Sequence, residues 1–160
     1  MHYACAHGSS EKTLQLLLRN HPEGMIHCDT KGRTPLQLVL TCTQTPPTGS
    51  VVSILARNGA LTIKDVNGMY PLHYACAYGA SEEVLRILAN DNRPPNSLDS
   101  SNRHRNRDLN GVSSLNVSSS TKDAKGRTAL HFAMGNCDRY HSPAVIRFLL
   151  EQNPHLVRIY

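Results

Sequence analysis

The sequence predicts an all-α solenoid, an array of short helices stacked side by side. Three observations carry that fold class. A turn-like octapeptide recurs three times, a segment rich in small residues follows each copy, and an aliphatic run at helical spacing comes after that. Asp29 to Leu36 reads D-T-K-G-R-T-P-L, Asp65 to Leu72 reads D-V-N-G-M-Y-P-L, and Asp123 to Leu130 reads D-A-K-G-R-T-A-L. The second copy follows the first closely, whereas the third arrives after a much longer interval.

Each element has a local reason. Gly32, Gly68 and Gly126 stand where a tight turn needs positive φ. Thr34 and Thr128 are placed to cap the helices that follow, and Pro35 and Pro71 suit a first helical position. Leu36, Val39 and Leu40 share one helical face, as do Leu72, Ala75 and Cys76. The run His2-Tyr3-Ala4-Cys5-Ala6-His7-Gly8 matches His73-Tyr74-Ala75-Cys76-Ala77-Tyr78-Gly79, and His131-Phe132-Ala133 repeats its start. Small Ala and Cys residues there let neighbouring helices approach closely. The second helices carry larger aliphatics: Leu14, Leu17 and Leu18; Val51 to Leu55; Val84, Leu85 and Leu88; Val145, Phe148 and Leu149. Gly59 is read as a helix stop.

These residues resemble the ankyrin repeat, D-x-x-G-x-T-P-L-H-x-A-A-x-x-G followed by V-x-x-L-L, a unit of about 33 residues. The resemblance implies β-turn hairpins, each followed by two antiparallel helices, in one domain spanning 1–160. The repeats fall at about 1–28, 29–64, 65–91 and 123–160, with a low-complexity insertion at 92–122. It also implies that the motif histidines His2, His73 and His131 hydrogen-bond backbone between hairpins. Gln37 and Tyr70 depart from the pattern, standing where the family has His and Thr. Extra residues around Thr43 to Gly49 and Asn136 to Ser142 lengthen repeats two and four.

Between repeats three and four, Asn92 to Thr121 holds eight Ser and six Asn and no aromatic residue. That composition cannot bury enough apolar surface to offset ordering entropy, so disorder is expected there. Loop length costs little, roughly 0.6 kcal/mol per doubling, so repeats three and four are expected to stack across it. Phosphorylation of its serines would turn its net positive charge negative. The ends lack polar capping units, so the sequence reads as part of a longer array.

Composition narrows the function. The chain has 17 Lys+Arg against 12 Asp+Glu, a net charge of +5, and 5% aromatic residues. That charge is spread thinly, which disfavours nucleic acid. The Arg103 to Arg107 cluster has no aromatic stacking partners and reads as a solvated linker. No apolar run reaches the ~18 residues of a membrane span. Five cysteines show no C-x-x-C pair and no secretory signal opens the sequence, so reduced thiols in the cytoplasm, or the nucleus, are expected. His2, Cys5 and His7 are close in sequence but give too few ligands for zinc, and no cofactor is expected. Cys5 and Cys76 occupy small buried positions and read as core, not as nucleophiles. No P-loop, G-x-S-x-G or kinase signature is present.

The resemblance thus implies a non-catalytic protein–protein interaction module, a scaffold or adaptor. The alternative is a regulatory array within a larger enzyme or membrane protein. Family binding surfaces map onto Thr30, Lys31 and Arg33; Val66, Asn67 and Met69; and Ala124, Lys125 and Arg127 at the turns. On the first helices they map onto His7 and Tyr78, with Tyr3, Tyr74 and Phe132 expected to be half exposed. Basic tips favour a partner protein with an acidic patch, and a monomer is expected.

Overall fold

The computed structural model describes residues 1–42, 45–89, 120–136 and 143–152. They form eight α-helices and no strand. These are α1 (His2–Ala6), α2 (Glu11–Asn20), α3 (Pro35–Leu40), α4 (Gly49–Leu55), α5 (Pro71–Tyr78), α6 (Glu82–Leu88), α7 (Ala129–Gly135) and α8 (Pro143–Gln152). The expected disorder at 92–122 falls almost wholly on residues outside the described ones, as do parts of the two lengthened loops.

Chain chemistry starts and stops these helices. Pro35 and Pro71 begin α3 and α5, where a missing N–H costs nothing. Ser10, Thr48 and Ser81 cap α2, α4 and α6 by accepting from Thr13, Val51 and Val84 N–H. Gly79, at φ 77°, ends α5. Gly59 does not end α4. The helix stops at Leu55, and Gly59 leads into a 3₁₀ turn at Ala60–Thr62.

Two layers result. The first helices stack as α1 on α3, α3 on α5 and α5 on α7; the second helices stack as α2 on α4, α4 on α6 and α6 on α8. The core lies between layers. Small Cys5, Ala75, Cys76 and Ala133 come from the first layer, and Leu14, Val52, Leu55, Val84, Leu85, Leu88, Phe148 and Leu149 from the second. Each fully buried aliphatic is worth about 1.5–3 kcal/mol, and most of that depends on the neighbouring pair. Arg86 of α6 lies 4.9 Å over the Phe148 ring of α8, tying the last pair to the third.

The hairpins stack with the helices. In each, the Asp backbone N–H donates to the carbonyl four residues on: Asp29 to Arg33 (2.9 Å), Asp65 to Met69 (3.1 Å) and Asp123 to Arg127 (2.8 Å). Bonds between hairpins run from Val66 N–H to Lys31 O (3.1 Å) and from Ala124 N–H to Asn67 O (2.9 Å). The fourth repeat therefore docks on the third much as the third docks on the second, whatever the length of chain between them. Asn136 adds a bond from its Nδ2 to Ala77 O at 3.1 Å.

The turn glycines Gly68 and Gly126 both have positive φ, 73° and 76°. They differ in what surrounds them. A Cβ on Gly68 would sit 2.8 Å from Ala124 N, whereas one on Gly126 meets nothing within 4 Å. Gly126→Ala is expected to cost about 1 kcal/mol through backbone strain alone. Gly68→Ala should cost clearly more, because it also pushes the fourth hairpin away. Urea unfolding of the two variants side by side checks this; equal losses would mean that the hairpins do not pack as described.

Candidate functional site

The surface that could meet another molecule is built on the three hairpins and the first-helix layer. Asp29 Oδ1 accepts from Lys31 and Arg33 N–H, both at 2.8 Å. Asp65 Oδ1 accepts from Asn67 (2.9 Å) and Met69 (2.7 Å) N–H, and Asp123 Oδ1 from Lys125 (2.9 Å) and Arg127 (2.8 Å) N–H. The carboxylates are thus used internally, folded onto their own turns.

The second carboxylate oxygen is satisfied in two ways. In repeats two and four an arginine covers it. Arg33 Nε and Nη2 reach Asp29 Oδ2 at 2.9 and 2.8 Å, and Arg127 does the same at Asp123. Partial burial works against the charge of Asp29 and Asp123. The turn N–H groups and the guanidinium outweigh it and hold both carboxyls below their ordinary 3.8. In repeat three Met69 replaces arginine, and the Tyr74 hydroxyl donates to Asp65 Oδ2 at 2.9 Å. Asn67 Nδ2 donates to the same oxygen at 3.2 Å.

This relay corrects one expectation. Tyr74 is not half exposed; it is 6% exposed, drawn inward by Asp65. Burial, then the Asp65 carboxylate, pushes its hydroxyl pKa far up. Its ring stacks on Tyr78, at 6.2 Å and 7° between planes. Tyr78 is 41% exposed and Tyr3 80% exposed. His7 is exposed beside Tyr3, with ring centres 4.3 Å apart, and Phe132 is half-buried under Arg127 at 4.5 Å. Thr30, Lys31, Val66, Asn67, Ala124 and Lys125 are exposed; Arg33, Met69 and Arg127 are half-buried.

Behind this surface runs a second set of bonds, from the first-helix layer to the next repeat. His2 Nε2 contacts His27 O at 3.0 Å and His73 Nε2 contacts Thr121 O at 3.0 Å. Gln37 Nε2 donates to Ile63 O (3.2 Å) and Met69 O (2.8 Å). The accepting carbonyls of His27, Ile63 and Thr121 each lie two residues ahead of a turn aspartate. In Gln37 and His73 the other end of the side chain serves its own helix start, whereas His131, expected to bond between hairpins, is exposed and pairs through Nδ1 with Thr128 of its own repeat. Gln37 Oε1 accepts from Thr34 N–H at 2.8 Å, and His73 Nδ1 accepts from Tyr70 N–H at 3.0 Å. His73 is therefore the Nε2–H tautomer, donating to Thr121. Gln37 departs from the family pattern without losing the bridge, and Tyr70 keeps its backbone bond to His73 but gives α5 no side-chain cap. Thr34 caps α3 as expected, but Thr128 does not cap α7; its hydroxyl pairs with His131 Nδ1 at 2.8 Å.

Burial pushes the Cys5 thiol to about 11 and the Cys76 thiol to about 12, so neither is a thiolate at neutral pH. Among the described residues, no group of three His, Cys, Asp or Glu side chains is placed to hold a metal ion. No helix among them is long and apolar enough to cross a membrane.

The geometry defines a repeat array whose side chains serve packing and surface display. The family model for ankyrin repeats (three copies) matches residues 1–99 and 50–158, and the chain belongs to the ankyrin-repeat family. No curated protein is similar enough to stand as a relative. Ankyrin repeats generally mediate protein–protein interaction.

Two outcomes follow from the buried bonds. Tyr74→Phe should cost about 1 kcal/mol in thermal or urea unfolding while leaving the helical content intact. The second concerns protons. His73 is fully buried, and that burial, the largest influence on it, holds its imidazole below the ordinary 6.5. The folded chain therefore binds this proton less readily than the unfolded chain. The stability contributed is whole above pH 6.5 and declines as pH falls below that value. The urea midpoint should drop between about pH 7.5 and about pH 5.5, and His73→Gln, which copies Gln37, should flatten part of the drop. An unchanged slope in that variant would show that His73 carries none of it.

Proposed function

We propose that this chain is a non-catalytic interaction module, an adaptor or scaffold segment that binds a partner protein through its hairpin tips and the exposed side of its first helices. One observation carries the reading. Gln37, His73, Asp65 and Asp123 of the interior are spent on bonds that hold the array in register, while Tyr3, His7, Tyr78 and the tip residues Thr30, Lys31, Val66, Asn67, Ala124 and Lys125 stay exposed. Tyr is among the residues that contribute most when an interface closes over them. The chain acts as a monomer, in the cytoplasm or nucleus, alone or as the regulatory array of a larger protein; the buried, protonated Cys5 and Cys76 suit a reducing compartment.

Site-specific photo-crosslinking tests this. A photoreactive residue at Val66 or Tyr78 should capture a partner protein in cells. The same residue at Leu16, which is 60% exposed on the second-helix layer, should not. Capture from Leu16 alone would place binding on the wrong layer and end this reading.

A further inference from the structure

The three hairpin tips do not carry equal chemistry. The bonds between hairpins align Lys31 with Asn67 and with Lys125, because Val66 N–H meets Lys31 O and Ala124 N–H meets Asn67 O. At the adjoining position the residues are Thr30, Val66 and Ala124; at the position over the carboxylate they are Arg33, Met69 and Arg127. The middle hairpin therefore lacks the cation that both neighbours have, at two positions at once. It offers instead the largest aliphatic tip, Val66, which is 70% exposed.

The outward charge at the flanks is positive, although each flank also contains an aspartate. Asp29 and Asp123 are turned onto their own turns and arginines, and the Asp123 side chain is only 1% exposed. Lys31 and Lys125 have no such inward commitment for their exposed stems. Lys122, exposed one residue ahead of Asp123, adds to the positive field of that flank, whereas Lys64, one residue ahead of Asp65, stands at the base of the middle hairpin and outside the tip positions compared above. The strip thus reads cation, apolar, cation along the axis of the array.

Resting on the interaction reading above, we propose that the tip strip binds an extended peptide segment in which one aliphatic side chain sits midway between two carboxylates. Stacked repeats stand ~10 Å apart, so Lys31 and Lys125 are separated by ~20 Å. A polyproline-II chain advances about 3.1 Å per residue with three residues per turn, so two acidic residues about six apart and an aliphatic residue about three from each lie on one face of it. The central side chain packs on Val66 and Met69 while the carboxylates meet Lys31 and Lys125. Nucleic acid fits this strip less well. Its phosphates would repeat evenly, and the apolar centre gives them no partner, nor do the tips carry an aromatic ring for a base.

Display of random twelve-residue peptides on the full chain tests the proposal. The expected enrichment is for an aliphatic residue flanked by Asp or Glu at the stated spacing. A synthetic peptide from that pool should bind at least tenfold more weakly to Val66→Asp and to the Lys31→Glu/Lys125→Glu double variant. It should also weaken as salt rises, and lose that dependence in the double variant. Circular dichroism confirms that these exposed substitutions leave the helices intact. Enrichment of another pattern, binding indifferent to both variants, no enrichment, or tighter binding of a generic single-stranded RNA would each overturn it. If crosslinking from Tyr78 persists in that event, protein binding stands and only the tip chemistry falls.

Discussion

A buried side chain three residues into the first helix, Gln37 in repeat two and His73 in repeat three, holds this array in register. It joins the start of its own helix to a carbonyl just ahead of the next turn. A backbone N–H removed from water must be paired, or its desolvation goes unrecovered at about 1–3 kcal/mol. That requirement makes the contact specific as well as favourable. The aliphatic layers could slide past one another with modest loss; the polar bridge cannot. His2, Gln37 and His73 reach across 25, 26 and 48 residues of sequence, and they arrive at equivalent atoms.

With register fixed from behind, the hairpins are free to vary at their tips. The turn aspartates are invariant in what they do with one carboxylate oxygen and diverse in what they do with the other. Arg33 and Arg127 solve the problem with a guanidinium, and the third repeat solves it with a phenol from its own helix. The exchange has an outward effect. An arginine lost at Met69 removes charge from the middle of the surface, and Tyr74 is pulled out of reach of a partner. Surface character is thus set by how an inward carboxylate is satisfied.

Much of this was legible in the residues. The recurring Asp, Gly and Leu located the hairpins, and Gly68 and Gly126 adopt the positive φ that their turns require. The small first-helix residues and large second-helix residues announced the two layers. What sequence could not show was partner choice. Tyr3, Tyr74 and Phe132 occupy the same position in three repeats, yet one is exposed, one buried and one half-buried. For two of them the residue over the turn carboxylate decides: Tyr74 takes the place of a guanidinium at Asp65, where Met69 stands, and Phe132 lies under Arg127. The signal was present in Met69, but it becomes readable only once Asp65 is known to lack a guanidinium. Thr128 shows the same limit: a good capping residue gave its hydroxyl to His131 instead.

The substitution of Gln37 for histidine means that neighbouring seams of the same molecule are made of different stuff. The amide between repeats two and three is blind to acidity, whereas the imidazole between repeats three and four is not. Acid would consequently unfasten this array unevenly, loosening its last helix pair while the middle of the stack holds.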